Sequence, residues 1–380
     1  MLRGVVIACL VLLSHGSLLY SQTQPWHETI DFHAGLRLRY DATKRDDFQD
    51  VFRYRLRAGL EVAVHDAIRA GLEIRSGDPR NPVTDNQSFG GGLSKHEFSI
   101  AEAFAEFRLS PRFSAVAGKF GHPGYWVVSD MQWDSDVTLE GFLERLEVSV
   151  SDGVLTGFGA SLYQLILEQS GEGDAWLLGA QIRPVFQIGA QNVVTAGVGF
   201  DYFVDPQKVV DLTLSGNLTG NRVTNLLDDS GMLISDFRIV TTFVNWRNDS
   251  IRPWPLSLSF FLYKNTGAKD AVGTEIGTGS QGRGKDNDTA FFVRVAAGQG
   301  RELGRLRLRF TYYYSEPDAI LYAFMQSDTG AASNLNGIRF DLRIGMPGRT
   351  HFDVTWYHTQ PKLGEVTTMN RWLIDYVLGF

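Results

Sequence analysis

Apolar and polar residues alternate along this chain with a period of two, and the alternation persists almost from end to end. Ile30, Phe32, Ala34, Leu36, Leu38 and Tyr40 are interleaved with Asp31, His33, Gly35, Arg37 and Arg39. The next segment repeats the pattern, with Phe52, Tyr54, Leu56, Ala58, Leu60, Val62 and Val64 set against Arg53, Arg55, Arg57, Gly59, Glu61 and Ala63. Successive side chains of a strand point to opposite faces, so each segment predicts a strand with one apolar and one charged face. Many segments run to roughly ten residues or more, the length with which a tilted strand crosses a bilayer. Trp372, Ile374, Tyr376, Leu378 and Phe380 carry the rhythm to an aromatic at the last position. The pattern predicts an all-β chain folded as a transmembrane antiparallel β-barrel.

About sixteen strands are predicted, within a range of roughly 14–18, with short turns at one rim and long polar loops at the other. The segments are 29–41, 50–64, 68–74, 98–109, 113–120, two flanking 151–153, then 176–186, 193–202, 237–246, 256–264, 289–297, 305–314, 338–346, 350–357 and 372–380. Ser151-Asp152-Gly153 and Ser110-Pro111-Arg112 read as tight periplasmic hairpins. Stretch 209–214 is a candidate extra strand inside the longest loop. A soluble β-sandwich or β-solenoid with one polar face is the competing fold. Against it, no solenoid period appears and no strand reads as buried on both faces.

Composition changes this picture little. Mean hydropathy is −0.12, as expected where only alternate residues face lipid. The formal net charge of −7 argues against a nucleic-acid partner. At the N-terminus, Arg3, an apolar run over 5–13 and Ser21 form a secretory signal pattern. The expected division is a signal peptide at 1–21 and a single barrel domain at 22–380. Cys9, the one cysteine, lies inside the apolar run, so no disulfide framework is expected.

Several motifs occur in an order that resembles a known family. They are Tyr54-Arg55-Leu56-Arg57-Ala58-Gly59-Leu60-Glu61, Gly77-Asp78-Pro79-Arg80-Asn81-Pro82, Ala101-Glu102-Ala103-Phe104, Gly118-Lys119-Phe120 and Trp133-Asp134-Ser135-Asp136. Tyr263-Lys264-Asn265-Thr266-Gly267-Ala268, Ser327-Asp328 and Asn334-Leu335-Asn336-Gly337 complete the set. The sequence resembles the putative porin family of Gram-negative outer membranes, and more distantly the alginate-export type of barrel. The resemblance implies a channel in the cell outer membrane, in contact with outer-membrane lipid, and little about substrate; barrel width and lumen charge lead to the expectation of small hydrophilic or anionic solutes passing by diffusion. Homotrimers are common in the similar class, and no subunit interface is legible from the alternation. A dedicated channel for acidic saccharides and a non-conducting adhesin or structural barrel are the alternatives.

Inward positions decide what a barrel passes. Alternation aims Arg37, Arg39, Arg53, Arg55, Arg57, Arg305, Arg307, Arg309, Arg339 and Arg343 inward as a basic ladder, with Arg69 and Arg75 beside it. Guanidinium groups stay charged and pair bidentately with carboxylate or phosphate. Glu61, Glu73, Glu102, Glu106, Glu147, Asp341 and Asp375 share the inward phase. Two outcomes therefore stay open, a net basic wall or a neutralised one, with Arg305, Arg307 and Arg309 the least compensated group. In general porins the loop at the ordinal position of 121–141 folds inward. Here that loop carries Tyr125, Trp126, Asp130, Trp133, Asp134, Asp136 and Glu140, a candidate constriction facing the arginines across the pore. Aromatic faces there could stack on sugar rings; the alternative is a solvated extracellular loop with interfacial tryptophans.

Catalytic and metal chemistry find no support. The histidines, among them His33, His65, His96, His122, His351 and His358, have no metal-ligand spacing, and no nucleophile elbow or HExxH occurs. No metal, cofactor or enzymatic activity is expected.

Overall fold

The period-two segments form sixteen strands, each built on β-branched and aromatic residues that fit a pleated surface. Numbered around the barrel they are β1 (Ile30–Lys44), β2 (Phe48–His65), β3 (Ile68–Ser76), β4 (Phe98–Ser110), β5 (Phe113–Gly121), β6 (Thr138–Ser149), β7 (Leu155–Ser170) and β8 (Gly173–Ile188). They continue as β9 (Asn192–Val204), β10 (Arg238–Asn248), β11 (Leu256–Asn265), β12 (Thr289–Gly298), β13 (Leu306–Ser315), β14 (Leu335–Gly345), β15 (His351–Pro361) and β16 (Met369–Gly379). The computed structural model describes residues 29–380 apart from 91, 93, 152, 171–172, 252, 277–279, 285–286, 331–332 and 365–366. The expected signal segment 1–21, with Cys9, lies outside the described residues.

Every strand pairs antiparallel with its neighbours in sequence, and the last pairs with the first. Gly35 stands opposite Gly379 and Lys44 opposite Asn370, which closes the sheet into a 16-stranded barrel. Closure removes the unpaired edges that an open sheet of this size would expose. Connections at the lower rim are short, such as 66–67, 111–112 and 189–191. Those at the upper rim include the long loops 77–97, 122–137, 205–237, 266–288 and 316–334.

Outward positions are apolar, as in Leu38, Phe52, Leu72, Ile182, Val198, Phe260, Val295 and Phe340, all exposed to the surroundings. No helix of the described residues is long and apolar enough to cross a membrane; the strands do so here.

Two features depart from the sequence reading. Stretch 209–214 is helical, forming part of α1 (Gln207–Leu214) behind Pro206. Proline suits a helix start because its missing N–H has no partner there anyway, and Val209 and Val210 turn to the interior together. The second departure is larger. In β10 to β12 the upper interior positions are also apolar: Ile239, Phe243, Phe261, Tyr263, Ala290 and Phe292 are buried. These strands are covered on both faces, by lipid outside and by protein within. The protein within comes from loops 77–97, 122–137, 205–237 and 316–334, which fold into the barrel instead of standing clear of it. Val209, Val210, Val223, Tyr322, Phe324, Trp133 and Met131 join one apolar cluster with the strand residues.

Candidate pore constriction

Strand register sets up an electrostatic conflict on one wall. Arg37 lies opposite Arg55 and Arg39 opposite Arg53; Arg57 faces Arg75, and Arg307 faces Arg343. Like charges directly across a strand pair repel, so the wall formed by β1–β3 and β13–β16 needs carboxylates. Two sources supply them.

The wall supplies some itself. Arg39 makes a bidentate contact with Asp375 across the closing seam, at 2.7 and 2.8 Å. Arg371 clasps Asp41 at 2.9 and 2.7 Å, and Arg343 clasps Asp353 at 2.7 Å through both nitrogens. Arg339 meets Asp341 at 2.5 Å. Arg75 reaches Glu73 at 2.5 Å and Glu102 at 2.8 Å, and Arg69 bridges Glu61 and Glu106.

The inserted loops supply the rest. Asp136 accepts from Arg57 at 2.5 Å and from Arg55 at 3.3 Å. Asp85, from loop 77–97, also binds Arg57. Asp328, from loop 316–334, lies 3.2 Å from both Arg39 and Arg371. Asp130 accepts from Arg294 at 2.5 Å and from Arg339 at 3.2 Å. The loop acids therefore touch the arginines, whereas the sequence suggested that they face them across a gap.

Burial and charge push neighbouring loop carboxyls apart. Burial alone would raise Asp136, but Arg57 and Arg55 outweigh it and hold it below the usual carboxylate range. Asp134 is pushed well up by burial and by the negative Asp136 beside it. Arg39 and Arg371 overcome burial at Asp328 and hold it low.

The loop at 122–137 is anchored on the other side by an apolar and aromatic floor. Trp126 stacks on Tyr163 with ring centres 4.5 Å apart, and Trp133 stacks on Phe324 at 5.0 Å. Ser129 shares a 2.7 Å hydrogen bond with Tyr263, and the Val127 N–H donates to Gln181 at 2.8 Å. Trp126 and Trp133 are buried, with no ring face left for a sugar. Open space runs beside the arginine wall. An upper basin of about 840 Å³ is lined by Asp41, Arg45, Asp47, Arg53, Arg222 and Arg371. Beneath it, Arg37, Asn86, Asp134, Asp136 and Asp328 surround a gap of about 40 Å³, room for only a few waters.

Not every sequence-selected residue joins this site. Arg305 precedes β13 at the lower rim, is about half exposed, and lies 3.5 Å from Glu302. Glu140 belongs to β6, where Leu139 and Leu143 take the inward phase, so it points outward and accepts from Lys119 at 2.7 Å. Arg37 donates to Asn86 at 2.7 Å. Arg307 and Arg309 lie on β13 in phase with the buried Thr311 and Tyr313. Neither makes a hydrogen bond or ion pair with a described residue, and the Arg307 Nε is buried without a partner. Reading by phase alone missed Arg294 and Arg371, although Val293 and Trp372 outward imply both. Asp328 was visible only as part of a motif without a role.

A closed barrel of this construction, with its loops drawn into the lumen, defines an outer-membrane porin-type channel. The chain belongs to the family described as "Putative porin", whose model matches residues 34–210 and 209–380. No curated protein shows significant similarity to it. Among solved structures it is similar to Salmonella typhi OmpF in complex with daunomycin, at 14% identity over 94% of this chain and 99% of that one, with a TM-score of 0.55. Pseudomonas putida OprB matches at 10% identity over 93% and 95%, with a TM-score of 0.57. The DcaP channel of Acinetobacter baumannii matches at 9% over 95% and 99%, at 0.50. At such identities the likeness is one of fold. Family and fold are those of channels rather than enzymes.

Proposed function

We propose that this porin passes small hydrophilic solutes by passive diffusion, with a preference for anions set by the few arginines its own carboxylates leave unpaired. The observation that carries this reading is the pair Arg307 and Arg309, inward on β13 with no described hydrogen-bond or ion-pair partner. Most other ladder arginines are held by carboxylates and contribute rigidity more than net field. Arg37, bonded only to a neutral amide among the described residues, lines the narrow gap above. All three are inward basic residues that no described carboxylate clasps. Charge fixed on a low-dielectric wall biases ion entry without any conformational change.

The test is planar-bilayer conductance of refolded protein, with the reversal potential read in a salt gradient. Stepwise conductance with anion preference is expected, and R307Q/R309Q should move the reversal potential toward cations while conduction persists. Cation preference in the wild type would discard the arginine account. Absence of channels from folded, inserted protein would discard conduction itself.

A further inference from the structure

The outward belt of the barrel is uncharged at the middle of its strands, with one exception. Glu144 sits at the middle of β6 and points outward, because Leu143 beside it is buried in the interior. It accepts from Gln164 of β7 at 3.1 Å, and Lys119 and Glu140 form a 2.7 Å pair a few residues above. Among the described residues no other Asp, Glu, Lys or Arg points outward from mid-strand: Asp50, Lys119 and Glu140 lie two residues from a strand end. Outward basic residues elsewhere, Lys44, Arg238 and Lys264, stand at or next to strand ends.

Hydrocarbon offers nothing to a carboxylate, which has about four acceptor sites, and one amide leaves most of them facing outward. Polar groups in such a position mark contact with protein more often than with lipid. The surroundings suit a close approach. Ala115 stands opposite Glu144 and Ala117 opposite Phe142; Ala105 faces Ala117, and Ala160 faces Leu146. Small side chains let another backbone come near enough for hydrogen bonds between chains.

We infer that the outward face of β5–β7 is an interface within the membrane, occupied by a second copy of this chain in a two-fold pair. Charge selects that partner and that symmetry. The patch holds donors, Lys119 and Gln164, as well as acceptors, Glu140 and Glu144, so it complements itself, as an isologous contact requires. A head-to-tail ring would set Glu144 against another part of the belt, where the outward Lys44, Arg238 and Lys264 stand only at or next to strand ends. The inference uses the barrel and its membrane setting and is independent of conduction.

Cysteine cross-linking in membranes tests it, with Cys9 replaced so that one thiol remains. On oxidation, A117C should give a covalent dimer, while V293C on the far wall should stay monomeric. E144L/Q164L, made in the A117C background, should lose the dimer yet keep the folded barrel's mobility on unheated gels. Equal cross-linking at 117 and 293 would overturn the proposal, as would an undiminished dimer in E144L/Q164L. A ladder extending to trimers at 117 would replace the two-fold pair with a ring. A wild-type monomer in the membrane would leave lipid or another protein as the cover.

Discussion

Leu60 shows how one position reports on the whole wall. It lies in the middle of β2, between Phe32 of β1 and Leu72 of β3, with its side chain on the lipid face. Replacing it with lysine should cost about 2–4 kcal/mol, measured as the shift in equilibrium unfolding in liposomes; an unchanged midpoint would mean that this face does not meet lipid. The direction of such side chains was readable directly, since a period of two leaves a residue only two faces. What each inward charge would touch was not. Arg55 and Arg57 look alike in the sequence, yet Arg57 is shared by Asp85 and Asp136 while Arg55 holds Asp136 alone among the described carboxylates. Those acids arrive from loops, and a loop carries no period to say where its side chains end up.

Among the elements, the seam between β1 and β16 concentrates the charge. Arg39, nearly fully buried, is held by Asp375 from one side and Asp328 from the other. D375A would leave a buried guanidinium with half its neutralisation, and losing one member of such a pair typically costs about 3–5 kcal/mol. The expected readout is a lower denaturation midpoint, and little change would mean that Asp328 and water suffice. The loops give a pH signature of their own. Asp318 accepts from Ser235 at 2.6 Å and from the Leu226 N–H at 2.8 Å, and burial pushes its carboxyl up to about 6. A folded value above the ordinary 3.8 means that loop packing is favoured while the group is protonated and weakens as pH rises through about 6. The full effect is roughly 3 kcal/mol. Burial brings His122 down to about 4, which opposes the trend below pH 6.5. Comparison with D318N isolates the carboxyl: from pH 8 to pH 5, protease protection of loops 205–237 and 316–334 should rise more in the wild type. Equal pH profiles would contradict this. The strands were legible to within a few residues. The helix at 207–214 was not, because its two valines fit a strand as well and only tertiary burial decides between them.

For the whole molecule, the unforeseen fact is how much of the lumen is filled. The run Ala319-Ile320-Leu321-Tyr322-Ala323-Phe324-Met325 is buried throughout, and seven consecutive apolar residues in a presumed solvent loop were a legible warning. So were Phe260-Phe261-Leu262-Tyr263, apolar on both faces of a supposed lumen strand. Alternation dominated the reading because it is repeated in every strand, whereas these signals occur once. The arginine wall has a further consequence, in time. Its members come from the first three and the last four strands, so it does not exist until β1 finds β16. A barrel inserted with every strand but the last would have Arg39 without Asp375, and Asp41 and Asp328 without Arg371. Its mouth would be ajar and its charge pairs unmade. Sealing the wall and pairing its charges are thus one step of biogenesis, and an unfinished copy is left with buried guanidinium groups as well as an open seam.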